Sequence, residues 1–317
     1  MKKTKIKIIH FLEIFQSLNV EFNRYSVEEY LNGGRQDILE KFDIFTENIR
    51  SKTTKNKNFE LFNIVNDIDK DTVVVLGFYL ELFEFWGQRN KIKELIHYYS
   101  NKYPNNKIVV TWNHDVDANE VFYFINDYEN IYILNFNTSI KHPRYIILPF
   151  WTINDNAVRE EKKYFLNLVC SFNNTLRIKL KDSFKDIPKT LISDRIDASE
   201  YRKILSSSIF TLCPKGQGLS SYRFFECFHL NTIPILFADS VILPYENEID
   251  YNKIAIKINE EKCSDSEHVL NVLRAVDTTE MLDNINRTKH KFTLLGVQNE
   301  INKRFYDSSN NNQYRIR

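Results

Sequence analysis

Between Leu212 and Ser240 the chain reads LCPKGQGLSSYRFFECFHLNTIPILFADS, a stretch that gathers groups able to hold an anion. The 317 residues contain only 7 Gly and 7 Pro, yet Gly216, Gly218, Pro214 and Pro234 all fall in this window. Ser208–Cys213 reads as a short buried strand, and PKGQG as a turn in which Gly216 and Gly218 permit positive φ and a close backbone approach. Ser220 or Ser221 can cap the helix that follows. A strand, a glycine loop and a helix N-terminus present free N–H groups and a positive dipole end, which is how doubly wound domains bind phosphate. Arg223 sits near that N-terminus, where the dipole disfavours a cation unless an anion joins it. Glu226 shares its face three residues on. A guanidinium for a diphosphate and a carboxylate for ribose hydroxyls would suit a nucleotide lying across the helix end. The same spacing also fits a βαβ unit whose glycines only make a tight turn and whose Arg223–Glu226 pair is a surface ion pair.

A second cluster lies in KIVVTWNHDVDANE. Asp115 and Asp117, one residue apart at the end of an apolar strand, have the spacing that can hold a divalent cation. Asp117 equally fits as the N-cap of a following helix. Strand carboxyl ends face the binding crevice of an open α/β domain, so His114 or Asp115 is placed to take a proton from a hydroxyl group. His142 in KHPRY, Glu81 and Glu84 are competing bases. None of the seven histidines stands at metal-ligand spacing with another His or Cys. No Ser-His-Asp set and no Gly-Lys-Ser/Thr phosphate loop is evident.

These residues need a scaffold, and the chain supplies strands alternating with helices. Strands are predicted at Lys5–Ile9, Thr72–Phe78, Lys107–Trp112, Ile131–Asn135, Tyr145–Pro149, Phe165–Cys170, Lys189–Ser193, Ile209–Cys213, Ile233–Phe237 and Ile254–Ile258. Helical spacing runs through FEFWGQRNKIKELIHYYSNKY and DANEVFYFINDY, and near 174–184, 198–206, 220–230 and 277–293. Such alternation predicts parallel sheets with helices on both faces, and two sets predict two domains. Residues 1–155 form the first, 156–300 the second, and 301–317 a C-terminal tail.

Composition narrows the partners. Lys+Arg (43) and Asp+Glu (42) nearly cancel, leaving no global field for nucleic acid. The apolar run TVVVLGFYLELFEFW carries Glu81 and Glu84, so no transmembrane segment is expected, which leaves room for peripheral membrane association. Cys170, Cys213, Cys227 and Cys263 show no CxxC spacing and read as thiols, three of them buried. The expectation is a cytoplasmic protein.

The window from Ser208 resembles the motif of exostosin-like glycosyltransferases, glycosyltransferase family 47. Ser208, Phe210, Leu212, Pro214, Gly216, Gly218, Ser221, Arg223, Glu226, Ile233, Pro234 and Asp239 fall in the family's order. The similarity extends over roughly residues 163–295, from YFLNLVCSFNNTLRIKL, with Arg177 in an Arg-x-x-Leu helix start, through LPYENEIDYNKIAIKI. Two departures concern the backbone path: Cys170-Ser171 replaces a glycine after the upstream strand, and Asn231-Thr232 a small Gly-Cys pair.

The resemblance implies a GT-B fold, two Rossmann-like doubly wound domains facing across a cleft, with acceptor binding in the first and donor binding in the second. It implies an inverting enzyme that moves a sugar from a nucleotide sugar, a UDP-sugar, to a glycan acceptor. No metal or other cofactor is expected. Arg223 would face the diphosphate, helped by Arg177 or Lys215, and Glu226 the ribose; the backbone from Gly216 through Gly218 and Ser220 to Ser221 would line the phosphates. Lys215 also reads as a solvated loop lysine, and Trp86 and Trp112 as sugar platforms or core. Metal-dependent GT-A enzymes use an Asp-x-Asp pattern like Asp115-Asp117, which the donor window makes the weaker reading. A fucosyltransferase-like enzyme using a GDP-sugar and a non-catalytic glycan-binding protein are the alternatives. The expected setting is polysaccharide, lipid-linked or virion glycan biosynthesis in a bacterial or virus-infected host cell.

Overall fold

The computed structural model describes residues 3–10, 14, 62–80, 83, 84, 87–112, 114–150 and 160–306. The chain divides into two compact units, one of residues 1–136, 141–148 and 296–317, the other of 137–140 and 149–295. The crossing at 148–149 precedes the division expected after 155. The chain re-enters the first unit at 296, where the helix Leu294–Tyr306 extends into the stretch expected to be a tail. Residues 307–317 of that tail, and Glu81 and Trp86, lie outside the described residues.

In the first unit β1 (Thr4–His10), β2 (Phe62–Ile64), β3 (Val73–Tyr79), β4 (Ile108–Trp112), β5 (Ile131–Asn135) and β6 (Tyr145–Ile147) form a parallel sheet ordered β2-β1-β3-β4-β5-β6. Helix α1 (Asn90–Lys102) buries Ile92, Leu95, Ile96 and Tyr99, one stripe at three- and four-residue spacing, among Val74, Val110 and Ile133. The other face takes the helix Leu294–Tyr306: Phe305 meets Tyr132 at 5.4 Å, and Tyr132 points opposite to Ile131 and Ile133. Asn302 Oδ1 accepts from the Thr4 backbone N–H (2.9 Å) and hydroxyl (2.7 Å), tying this helix to β1.

The helix expected over DANEVFYFINDY is one turn, α2 (Ala118–Val121), followed by a 3-10 turn at Ile125–Asp127. Aromatic packing overrides the helical spacing. Phe122 and Phe124 are buried while Tyr123 between them is 70% exposed, and Phe122 meets Trp112 edge-on at 5.7 Å.

In the second unit β7 (Tyr164–Val169), β8 (Thr190–Ser193), β9 (Ser208–Pro214), β10 (Ile233–Phe237) and β11 (Ile256–Ile258) form a parallel sheet ordered β11-β10-β9-β7-β8. Its helices are α3 (Thr175–Phe184), α4 (Ala198–Ser206), α5 (Tyr222–His229), α6 (Ser266–Arg274) and α7 (Thr278–Thr288). Two parallel doubly wound α/β sheets in one chain are the make-up expected of a GT-B enzyme. Inside the second sheet a chain of polar contacts runs from β7 through β9 to the start of β10: Asn167 Nδ2 donates to Thr211 Oγ1 (2.6 Å), which lies 3.0 Å from Thr232 Oγ1. The Asn231-Thr232 departure is accommodated at the same place. Asn231 takes the left-handed conformation, φ 54°, that glycine would supply after a helix.

Lys162 clasps the amino edge of this sheet, its Nζ donating to the carbonyls of Ser206 (2.8 Å), Ser208 (2.8 Å) and Asn231. Lys162→Met strands these acceptors and is expected to cost about 2–4 kcal/mol, read by denaturant unfolding. Burial pushes the lysine down from 10.5 to about 8, the Cys227 thiol acting weakly the other way. Between those values the unfolded chain holds the proton more tightly than the folded one, so the lysine's contribution rises with pH. The wild-type advantage over the methionine variant should therefore widen from pH 8 to pH 10; a gap that is flat or narrows over that range would refute the clasp as a buried, titrating group.

Candidate active site

The second sheet places its reversal of strand order between β7 and β9: the chain steps outward to β8, then returns to the other side of β7. In open α/β sheets ligands bind outside the carboxyl ends of the strands at this point. Two loops leave the sheet there, Cys170–Asn174 toward α3 and Lys215–Ser221 toward α5.

Arg177 and Gly216, 39 positions apart, come together across these loops. Asn174 caps α3 through a 3.0 Å bond from the Arg177 N–H, and its amide donates to the Gly216 carbonyl (3.4 Å). The Arg177 guanidinium donates to the Ser171 carbonyl and to Asn173 Oδ1, both at 3.1 Å, and its Nε is buried without a partner among the described residues. A Cβ added at Gly216 would lie 3.3 Å from Arg177 Nη2. Gly216 thus lets a guanidinium approach closely, where a Cβ would make Arg177 give by a few tenths of an ångström, and the positive φ that Gly216 and Gly218 permit is not used: among the described glycines only Gly87 has it. Gly218 is buried in the same loop.

Helix α5 opens onto this place with an uncapped N-terminus. Asn174, Asp197, Asp265 and Asp277 each cap their helices through the side chain; Ser221, at the equivalent position of α5, makes no such bond. The Ser220 hydroxyl is buried and, among the described residues, unpartnered. Arg223, on the first turn, donates through Nη2 to the Val169 carbonyl at the end of β7. Its Nε and Nη1 are shielded from solvent with no hydrogen-bond acceptor among the described residues. Unpaired cationic donors of this kind are costly in a protein interior. Burial holds the Arg177 pKa below its ordinary value, Cys170 opposes that, and the charges of Arg223 and Arg195 add to it. Three guanidiniums therefore share one electrostatic neighbourhood. Arg195, in the loop after β8, was not singled out by sequence because nothing local marks it.

Arg223 and Glu226 do not form the surface ion pair that their spacing allowed; among the described residues each has another partner. Glu226 Oε2 accepts from the Tyr201 hydroxyl of α4 at 2.5 Å. Lys215 pairs with Glu260 at 2.8 Å, and Asp239 accepts from the Glu260 N–H at 2.9 Å. Lys215 is thus a strut between the loops following β9 and β11.

In the first unit the residues at the carboxyl ends of β3 and β4 stand near one another. Glu84 is held by both nitrogens of the Arg89 fork, which lowers its pKa. His114 Nδ1 accepts from the Val116 N–H at 3.1 Å, which leaves the ring proton of neutral His114 on Nε2. Asp115 is exposed. Asp117 caps α2, accepting from the Asn119 N–H at 2.9 Å. Trp112 is fully buried, its Nε1 donating to the Val116 carbonyl (3.0 Å), and belongs to the core. His142 bonds Asn126 (3.0 Å) in the loop before β6, at the amino edge of the sheet and away from the carboxyl ends.

A family profile described as the Exostosin GT47 domain matches residues 95–273, more than half of the chain and including the His114–Asp117 loop. An exostosin-1 homolog of Caenorhabditis elegans is 34% identical over 91 residues, 29% of this chain and 22% of the relative. A probable glucuronosyltransferase of Oryza sativa subsp. japonica is 33% identical over 85 residues, 27% of this chain and 19% of the relative. The chain thus matches about a fifth of the length of these relatives. Among solved structures, a glycosyltransferase from Rickettsia africae aligns over 96% of this chain and 99% of its own, with 10% identity and a TM-score of 0.40.

Proposed function

The chain belongs to the Exostosin GT47 family, and from that premise we propose that it transfers a sugar from a UDP-sugar to a hydroxyl of a glycan acceptor. The reaction inverts the anomeric carbon and proceeds without a divalent cation. The observation that carries this reading is the pair of unpartnered, shielded N–H groups of Arg223 beside the uncapped N-terminus of α5. A diphosphate supplies the missing acceptors and neutralises the charge.

The chemistry follows from where charge develops. As the glycosidic bond to the diphosphate breaks, the departing oxygens become more negative, and fixed donors aimed at them stabilise the transition state more than the ground state. Arg223 and Arg177 supply cationic donors, and the first-turn amides of α5 add the helix dipole. That charge is the physical ground for dispensing with a metal. Glu226 accepts from the ribose. On the acceptor side Asp115 takes the hydroxyl proton, and His114 donates from Nε2.

Thermal unfolding with UDP, with GDP and without nucleotide, each in EDTA or Mn²⁺, tests the reading. A ligand at about 100 times its dissociation constant adds roughly 2.7 kcal/mol, a shift of several degrees. UDP is expected to stabilise the protein in EDTA. Stabilisation only with Mn²⁺ overturns metal independence, a response to GDP alone overturns the donor base, and no response to any nucleotide overturns the donor site.

A further inference from the structure

Tyr201 lies on the first turn of α4, its N–H bonded to the carbonyl of the capping Asp197 at 3.0 Å. Its hydroxyl reaches Glu226, 25 positions away, and donates to Oε2 at 2.5 Å. No protein group bonds the second oxygen, Oε1, among the described residues. Burial, and then the charge of Glu226, raise the phenol well above its ordinary pKa, so it remains a donor at neutral pH. A glutamate on a helix surface ordinarily samples several rotamers. Here one oxygen is fixed by a rigid ring, so the position of the other is fixed as well.

We infer that Tyr201 is a positioning residue that locks Glu226 with one oxygen free to accept from a ribose hydroxyl, making the site selective for ribonucleotides over deoxyribonucleotides. This rests on the reading of Glu226 as the ribose contact. Loss of a sugar hydroxyl leaves Oε1 desolvated without a donor, a penalty that falls only on the deoxy ligand. Loss of the Tyr201 hydroxyl releases the carboxylate, and both ligands then meet a mobile acceptor.

Calorimetric titration of UDP, 2′-deoxy-UDP and 3′-deoxy-UDP against wild type, Tyr201→Phe and Glu226→Gln tests this. Wild type should favour UDP over at least one deoxy analogue by about tenfold or more. Tyr201→Phe should cut that ratio to about two- to threefold. Glu226→Gln, which can still accept from Tyr201, should lose it as well and serves if the phenylalanine variant does not fold. Tyr201→Phe with the full wild-type ratio overturns the positioning role. Wild type that binds UDP but does not discriminate overturns the ribose contact, whereas wild type that binds no UDP overturns the donor-site reading beneath both.

Discussion

Arg223→Ala is expected to lower sugar transfer by about 10²–10³-fold and to abolish stabilisation by UDP, while the melting temperature without nucleotide stays level or rises. The opposite signs follow from one feature. Nε and Nη1 of Arg223 are shielded and unpartnered, and no carboxylate pairs with the guanidinium among the described residues. A desolvated cation whose Nε and Nη1 lack acceptors opposes folding, which the Val169 bond and the charge of Glu226 only partly offset, so its removal leaves the empty protein no less stable. With diphosphate bound the same cation is paired, and its loss falls on the ligand and on the departing charge. An arginine serving mainly to hold β7 through the Val169 carbonyl would behave otherwise. Unfolding scans with and without UDP decide the matter: a fall of several degrees in the empty variant, with the UDP increment intact, would sink the assignment.

Asp115→Asn is expected to reduce turnover by about 10²–10⁴-fold and to leave UDP binding unchanged. His114→Gln should cost less, about tenfold, and act on acceptor binding. This ordering comes from a backbone contact. The Val116 N–H occupies His114 Nδ1, so the neutral ring holds its proton on Nε2 and has no lone pair there for a substrate hydroxyl. Asp115 is exposed at the carboxyl end of an interior strand. Glu84, held by the Arg89 fork, is a weak base. Initial rates with an active donor and acceptor pair, found by screening UDP-sugars against glycans, check the ordering. A dead His114→Gln beside an active Asp115→Asn would reverse the roles.

The architecture was largely legible because both sheets are parallel and buried, so their strands appear as β-branched runs separated by helical spacing. Ends were less so: the predicted Ile254–Ile258 is a strand only over Ile256–Ile258, and α6 was not foreseen. The loop–helix window was readable because glycine, serine, arginine and glutamate stand together in sequence. Its supporting residues were not, since Arg177 meets Gly216, and Tyr201 meets Glu226, only after the sheet forms. Sequence marked the glycine loop as a place of close approach; the positive φ it permitted is not used, and at Gly216 the close neighbour is a guanidinium.

The bond between Thr4 and Asn302 spans 298 positions and has a consequence for synthesis of the protein. Residues 149–295 fold as an insertion within the unit that this bond completes. At roughly 5–20 residues per second, a ribosome takes about 10–30 s to pass from residue 148 to residue 302. For that interval the first sheet is made but lacks the helix bearing Val297, Ile301 and Phe305, so the apolar surface this helix covers stays open. The inserted unit can complete its own core meanwhile. The nascent chain therefore has its greatest need of a chaperone late in translation, and the surface to be shielded belongs to the part made first.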